Sequence, residues 1–113
     1  MPDPSDRDRA ISLARALAGD AAFRDALADL IAFPTDASQP DAPLQAYLRH
    51  VAHGFLAMGF TTQGYITEGR PFLVASRIED KTRPTVLGYA HGDTVPGMAG
   101  RWAHGRDPWR LSE

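Results

Sequence analysis

The chain has 113 residues, which suits one domain with a hydrophobic core, and its 12 basic and 14 acidic residues give a formal net charge of -2. Nucleic acids and anionic membranes favour clustered Lys and Arg, so this scattered charge argues against both as partners. The chain has no cysteine, which excludes disulfides, zinc ribbons and thiol nucleophiles and leaves His, Asp or Glu to bind any metal. The polar N-terminus and the lack of an apolar run of about 20 residues predict a soluble cytoplasmic protein.

Two short amphipathic helices are predicted at the start of the chain. The first spans residues 6–18, where apolar residues recur at helical spacing, and Gly19 is expected to end it. Asp20 is expected to cap the second helix. That helix ends at Phe33-Pro34, because the residue before a proline avoids the α region.

A loop over residues 35–43, rich in Pro, Asp and Ser, leads to the third predicted helix. Asp41 is its expected N-cap, and Gly59 is expected to close its far end. One apolar stripe at about 100° per residue predicts packing against a sheet; it comprises Leu44, Tyr47, Leu48, Val51, Phe55 and Met58. His50 and His53 lie off this stripe, so we interpret them as solvated histidines and not as metal ligands.

After the third helix the pattern becomes that of β-strands. Residues 61–67 and 72–79 are predicted to form a β-hairpin around a turn at residues 69–71. A further strand is predicted over residues 85–90, where the low polar content is typical of a strand covered on both faces. The expected fold class is therefore α/β, with N-terminal helices followed by a β-hairpin and a buried strand.

The apolar run ends at His91-Gly92-Asp93, where open α/β sheets usually bind ligands. Side chains two residues apart can point into one crevice, and a carboxylate can fix the tautomer of a metal-binding imidazole. His-x-Asp alone is nevertheless a weak pattern, which a strand-end histidine followed by a turn also explains. No glycine-rich elbow surrounds Ser76 or Ser112, so a serine hydrolase is not supported.

The residues around this pair make the pattern more specific. Residues 84–97 combine an apolar strand with His-x-Asp-x-Val-Pro, and Arg101-Trp102 and Asp107-Pro108-Trp109 follow. In this combination the chain resembles the first metal-binding motif of the M20 family of zinc metallopeptidases. The preceding helices and the Phe33-Pro34-Thr35 step are also similar to the N-terminal segment of that family.

The resemblance implies a three-layer catalytic domain with a mixed sheet, of which residues 1–113 are the N-terminal portion without a lid or dimerisation domain. It implies that His91 binds one of two zinc ions, which cobalt or manganese can replace. Asp93 is implied as the catalytic carboxylate that aligns the metal ligands. The implied activity is hydrolysis of an amide or peptide bond in a peptide or N-acyl amino acid, as in dipeptidases, carboxypeptidases and deacylases, by a parent protein that can be a homodimer.

The later motifs of the family, which supply the general base and the other ligands, do not occur in these residues, so we expect this chain alone to be inactive. Apolar surface, including that of Trp102 and Trp109, should then be exposed and favour a marginally folded or oligomerising product. One alternative is a non-catalytic α/β module that binds a partner through its open sheet edge. Another is a small metal protein that uses His91, Asp93 and His104.

Overall fold

The computed structural model describes residues 3–112, which form three helices and one two-stranded antiparallel sheet. The elements are α1 (Pro4–Ala18), α2 (Ala21–Ile31), α3 (Leu44–Ala57), β1 (Thr61–Thr67) and β2 (Arg70–Ser76). They belong to two compact units: the hairpin unit, Pro34–Gly97, contains α3, β1 and β2, and the two-helix unit comprises residues 3–33 with 98–112. The α/β class is thus confirmed. Within residues 3–112, no helix has the length and apolar character to cross a membrane.

Side-chain and glycine caps define the helices of the two-helix unit. The carboxylate of Asp3 accepts the N–H of Ser5 at 3.0 Å, so α1 begins slightly earlier than predicted. Gly19 is the C-cap of α1, as predicted. Asp20 caps α2 by accepting the N–H of Ala22 at 3.1 Å, which confirms its expected role.

A two-residue turn at Glu68-Gly69 closes the hairpin. Both residues have positive φ, 53° and 76°, as a type I′ turn requires. The two strands remain in register from this turn to the Thr61–Ser76 pair. Because the turn lies earlier than the predicted one at 69–71, β2 also lies earlier than the strand predicted over 72–79.

The inner face of the hairpin packs against α3, as the apolar stripe of that helix predicts. Alternate residues of β2, namely Pro71, Leu73 and Ala75, are half-buried, whereas those between them are exposed. Two strands and one helix give only a thin core, and no hydrophobic side chain among the described residues is fully buried. The α3–hairpin contact is therefore the main apolar packing of this unit.

The two ends of α3 differ in how well they were predicted. Pro43 occupies the N-cap without a side-chain hydrogen bond, so the N-cap role expected of Asp41 is wrong. Asp41 belongs instead to a preceding turn, in which the N–H of Ala42 donates to the oxygen of Gln39 at 3.3 Å. Gly59 adopts a φ of 80° just after the helix, as expected for a glycine that ends one.

The buried strand predicted over residues 85–90 is not formed. This segment has no regular secondary structure, and Val86, Leu87 and Tyr89 are 91%, 95% and 91% exposed. A continuous apolar strand needs neighbouring strands and covering layers on both faces, and none of the described residues provides them. Trp102 is also exposed, as expected, whereas Trp109 is half-buried.

Candidate functional site

The two residues that the motif identifies, His91 and Asp93, lie in contact. Nδ1 of His91 is 2.9 Å from the main-chain oxygen of Asp93 and 3.3 Å from its carboxylate Oδ1. Because a carbonyl oxygen can only accept, Nδ1 carries the hydrogen in this bond. In the neutral imidazole the lone pair is then on Nε2, and the side chain is 68% exposed. His91 is therefore an accessible imidazole with a defined tautomer.

The segment between these two residues is bound to a loop far away in the sequence. The hydroxyl of Thr35 donates to the main-chain oxygen of Gly92, 57 residues later, with an Oγ1–O distance of 2.6 Å. Thr35 is only 2% exposed. Because loss of a buried partner leaves a polar group unsatisfied, at a cost of about 1–3 kcal/mol, this bond holds the Gly92 peptide firmly.

The main chain of the same loop pairs with the residue after Asp93. The N–H of Thr94 donates to the oxygen of Thr35 at 2.9 Å, and the N–H of Ala37 donates to the oxygen of Thr94 at 3.2 Å. These two bonds form a short parallel β-bridge between Asp36 and Thr94. The 35–37 loop thus contacts residues 92–94 through both a side chain and its backbone.

The carboxylate of Asp36 ties the same loop to the far end of this segment. It accepts the N–H and the hydroxyl of Ser38 at 2.9 and 2.5 Å, and it also hydrogen-bonds the backbone of Gly97. The Ser38 hydroxyl is the largest influence on the pKa of Asp36, and together these donors lower it from its ordinary value, although burial opposes the shift. Asp36, 7% exposed, is therefore held as a carboxylate.

The ring of Tyr47 in α3 occupies the space that a side chain at Gly92 would need. A Cβ built on Gly92 would lie 1.9 Å from Cε1, 2.3 Å from Cζ and 2.6 Å from the hydroxyl oxygen of Tyr47. No real Cβ approaches other atoms so closely, so either the ring or the backbone would have to move. The glycine between His91 and Asp93 thus allows the ring of Tyr47 to pack directly against the backbone.

The other histidines are not part of this arrangement. His50 and His53 are exposed on α3, as predicted for solvated side chains, and His104 belongs to the two-helix unit. Residues 3–112 contain no group of three or more His, Asp or Glu side chains placed to hold a metal ion. Among the described residues, His91 and Asp93 thus lie together as a pair without a third His, Asp or Glu placed to share a metal ion with them.

The hairpin unit also contains a groove of about 340 Å³ between α3 and the sheet, with both apolar and polar residues in its lining. Leu48 and Ala52 of the helix line it on one side, and Gly64, Ile66 and Leu73 of the strands line it on the other. Neither His91 nor Asp93 borders this groove. The groove and the His91–Asp93 pair are therefore separate features of the unit.

Sequence reasoning identified His91 and Asp93 but assigned no role to the residues that hold them. Thr35 entered only through the family resemblance, and Tyr47 only as one member of the apolar stripe. The spacing Asp36-x-Ser38 is typical of a side-chain-capped turn and could have indicated an ordered loop. The contact of Thr35 with Gly92 joins residues that are too far apart in the chain for any local pattern to reveal it.

No protein-family model matches the chain, and its comparison with curated proteins and with solved structures finds no similar protein. The resemblance of residues 84–97 to a metallopeptidase motif therefore depends on the motif residues alone. Any function has to be argued from the geometry around His91 and Asp93.

Proposed function

We propose that this chain carries the first metal-binding segment of an M20-type di-zinc metallohydrolase, with His91 as a zinc ligand and Asp93 as the carboxylate that orients it. The observation that supports this proposal is the pair of short contacts from Nδ1 of His91 to the backbone oxygen and the carboxylate of Asp93. Metal-binding histidines almost always donate their second ring N–H to a carboxylate or a backbone carbonyl. The His91–Asp93 pair has that geometry.

The residues present fit a zinc ligand of this kind. With Nδ1 protonated, the lone pair of Nε2 is the one that can bind a metal, and acceptance of the N–H by Asp93 fixes the orientation of the ring. A pair of zinc ions supplies Lewis acidity and an activated water for amide hydrolysis. The substrate class that the motif suggests is a peptide or an N-acyl amino acid, and cobalt or manganese can replace zinc.

The described residues account for only part of such a site. His91 and Asp93 provide one ligand and one orienting group, whereas tight zinc binding in proteins usually takes three or four protein ligands. The general base and the remaining ligands have to come from other residues. We therefore expect this 113-residue chain to bind zinc weakly and to hydrolyse no peptide by itself.

A zinc titration followed by NMR tests the assignment of His91. We expect zinc ions to shift the imidazole signals of His91 and the amide signals around it, with a dissociation constant weaker than about 1 µM. His91→Ala should abolish these shifts. The matched control, a His50→Ala/His53→Ala double variant, should leave them unchanged, because those histidines lie on the exposed face of α3. Shifts that centre on α3, or no response of His91 at about 1 mM zinc, would contradict the proposal.

One observation favours a second candidate, a non-catalytic module that binds a strand of another chain. Among the described residues, each strand of the two-stranded sheet has one edge without a partner. Such edges can pair with strands of other proteins. This function requires no metal, so the two candidates differ in one measurable respect: His91→Ala should prevent zinc binding but leave association through the sheet edge intact.

A further inference from the structure

We propose that Thr35 and Tyr47 are positioning residues, which hold the Gly92 peptide so that Nδ1 of His91 stays directed at Asp93. The consequence of this role for a metal depends on the proposed function. The positioning itself concerns the metal-free chain. The two can therefore be tested separately.

The first support is the location of the hydrogen bond from Thr35. Its acceptor, the oxygen of Gly92, belongs to the peptide that joins Gly92 to Asp93, and the distance is 2.6 Å. The orientation of this peptide sets the direction in which the backbone oxygen and the carboxylate of Asp93 extend. Thr35 is 2% exposed and the bond is part-buried, so loss of the hydroxyl removes a fixed partner of the Gly92 peptide.

The second support is the packing of Tyr47. Its ring lies so close to Gly92 that a Cβ there would be 1.9 Å from Cε1. The ring limits movement of the Gly92 backbone, which the hydroxyl of Thr35 also binds. One residue therefore acts by a directed hydrogen bond and the other by steric contact.

The bonds on the C-terminal side of Asp93 complete the constraint. The backbone of Thr94 pairs with the 35–37 loop, and the carboxylate of Asp36 hydrogen-bonds the backbone of Gly97. Since all of these contacts are made between residues of the chain itself, they restrain the His91–Asp93 pair without the help of a ligand. Ordering before binding reduces the conformational entropy that a ligand has to overcome.

The decisive experiment measures the tautomer of His91 in the metal-free chain from its imidazole ¹⁵N shifts. We expect the wild type to be protonated at Nδ1 in its neutral form. Thr35→Val, which keeps the shape but removes the hydroxyl, should produce a mixture of tautomers. Thr35→Ser, which keeps the hydroxyl, should restore the wild-type signal. Unchanged Nδ1 protonation in Thr35→Val would overturn the role of Thr35.

A zinc titration of the same variants separates the two proposals. We expect Thr35→Val to raise the zinc dissociation constant by about 3- to 10-fold, the effect of one hydrogen bond, although no ligand is removed. If Thr35→Val changes the tautomer of His91 but the wild-type chain does not bind zinc at His91, the metal site is rejected and the positioning role is retained. If zinc binds at His91 and Thr35→Val leaves its dissociation constant unaltered, the positioning role is rejected and the metal site is retained.

A steric cycle tests Tyr47 and does not depend on the folding of the Thr35 variants. Gly92→Ala should broaden or shift the signals of His91 and Asp93, because the new methyl group overlaps the ring of Tyr47. Adding Tyr47→Ala to Gly92→Ala should recover much of the wild-type pattern, since it removes the clash. Equal disturbance by Gly92→Ala with and without the ring would show that Tyr47 does not position the segment.

Discussion

Two adjacent stretches of the hairpin unit belong to one sequence motif, yet they differ in how the chain supports them. Residues 85–90 should be a buried strand, but Val86, Leu87 and Tyr89 are more than nine-tenths exposed. Residues 91–97 carry the polar end of the motif and are bonded to the 35–37 loop at both ends. The described residues therefore supply partners for residues 91–97 but not those that a strand over residues 85–90 would need.

This difference follows from what each stretch needs. A strand buried on both faces requires hydrogen-bonded neighbours and two apolar layers, which takes many residues. The His91–Asp93 segment requires one hydroxyl, two backbone hydrogen bonds and a flat ring, and Thr35, Ala37, Thr94 and Tyr47 provide them within one unit. A small unit can satisfy the second set of demands without the first.

The largest effect that this comparison predicts comes from Gly92→Ala. A methyl group at this position overlaps the ring of Tyr47, and overpacking of this kind costs about 1–3 kcal/mol. We expect the free energy of unfolding, measured by urea denaturation, to fall by about 2 kcal/mol. Gly88→Ala is the matched control, because a Cβ there meets nothing within 4 Å.

Gly88 lies in the unsupported stretch and Gly92 in the supported one, so this pair of variants examines the comparison directly. We expect Gly88→Ala to change the free energy of unfolding by less than about 0.5 kcal/mol. Equal losses for the two variants would mean that residues 85–90 are packed in solution. Equal tolerance would mean that Tyr47 does not contact Gly92.

A smaller change in the free energy of unfolding is expected when the pH is lowered. The hydrogen bonds to Asp36 lower its pKa below the ordinary value of 3.8, so the folded chain holds this proton less tightly than the unfolded chain. Its contribution to stability is therefore fully present above about pH 4 and is lost as the pH falls through the lowered pKa. Between those values the free energy of unfolding should rise with pH.

The measurement for Asp36 is the pH dependence of the Gly92 and Gly97 amide signals. We expect these signals to move together in acid as the 35–37 loop releases the segment, and Asp36→Asn to remove that transition. Asp80→Asn provides the control: the pKa of Asp80 is also lowered, chiefly by the Thr82 hydroxyl, but Asp80 lies in an exposed turn. Loss of the transition in Asp80→Asn would show that it arises from Asp80 and not from Asp36.

Sequence reasoning succeeded where the determinants are local. Gly19, Asp20 and Gly59 mark helix ends through their own conformations or hydrogen bonds, and β1 has the predicted bounds. The hairpin turn was misplaced by a small margin because Glu68, not a typical residue for positive φ, takes that conformation. Local chemistry therefore predicts most element boundaries of this chain.

The same reasoning failed where partners are distant. The strand over 85–90 was inferred from an apolar run, but such a pattern records what a segment needs and not whether its neighbours are present. The bond from Thr35 to Gly92 joins residues 57 positions apart, so no local spacing predicts it. His91 and Asp93 could be selected from the motif, whereas the residues that orient them became visible only from the fold.

The smallest effect on stability is expected from Leu87→Lys. This change also tests directly whether residues 85–90 are unpacked. Leu87 is 95% exposed, so this change should alter the free energy of unfolding by less than about 0.5 kcal/mol. It should nevertheless reduce self-association, measured by sedimentation velocity over a range of concentrations, because a charge interrupts the apolar run that attracts other chains. Leu73→Ala is the contrasting variant: Leu73 is half-buried against α3, so its truncation should destabilise the hairpin unit. A Leu87→Lys chain that unfolds as readily as Leu73→Ala would show that residues 85–90 have a packing partner in solution and that the two stretches do not differ.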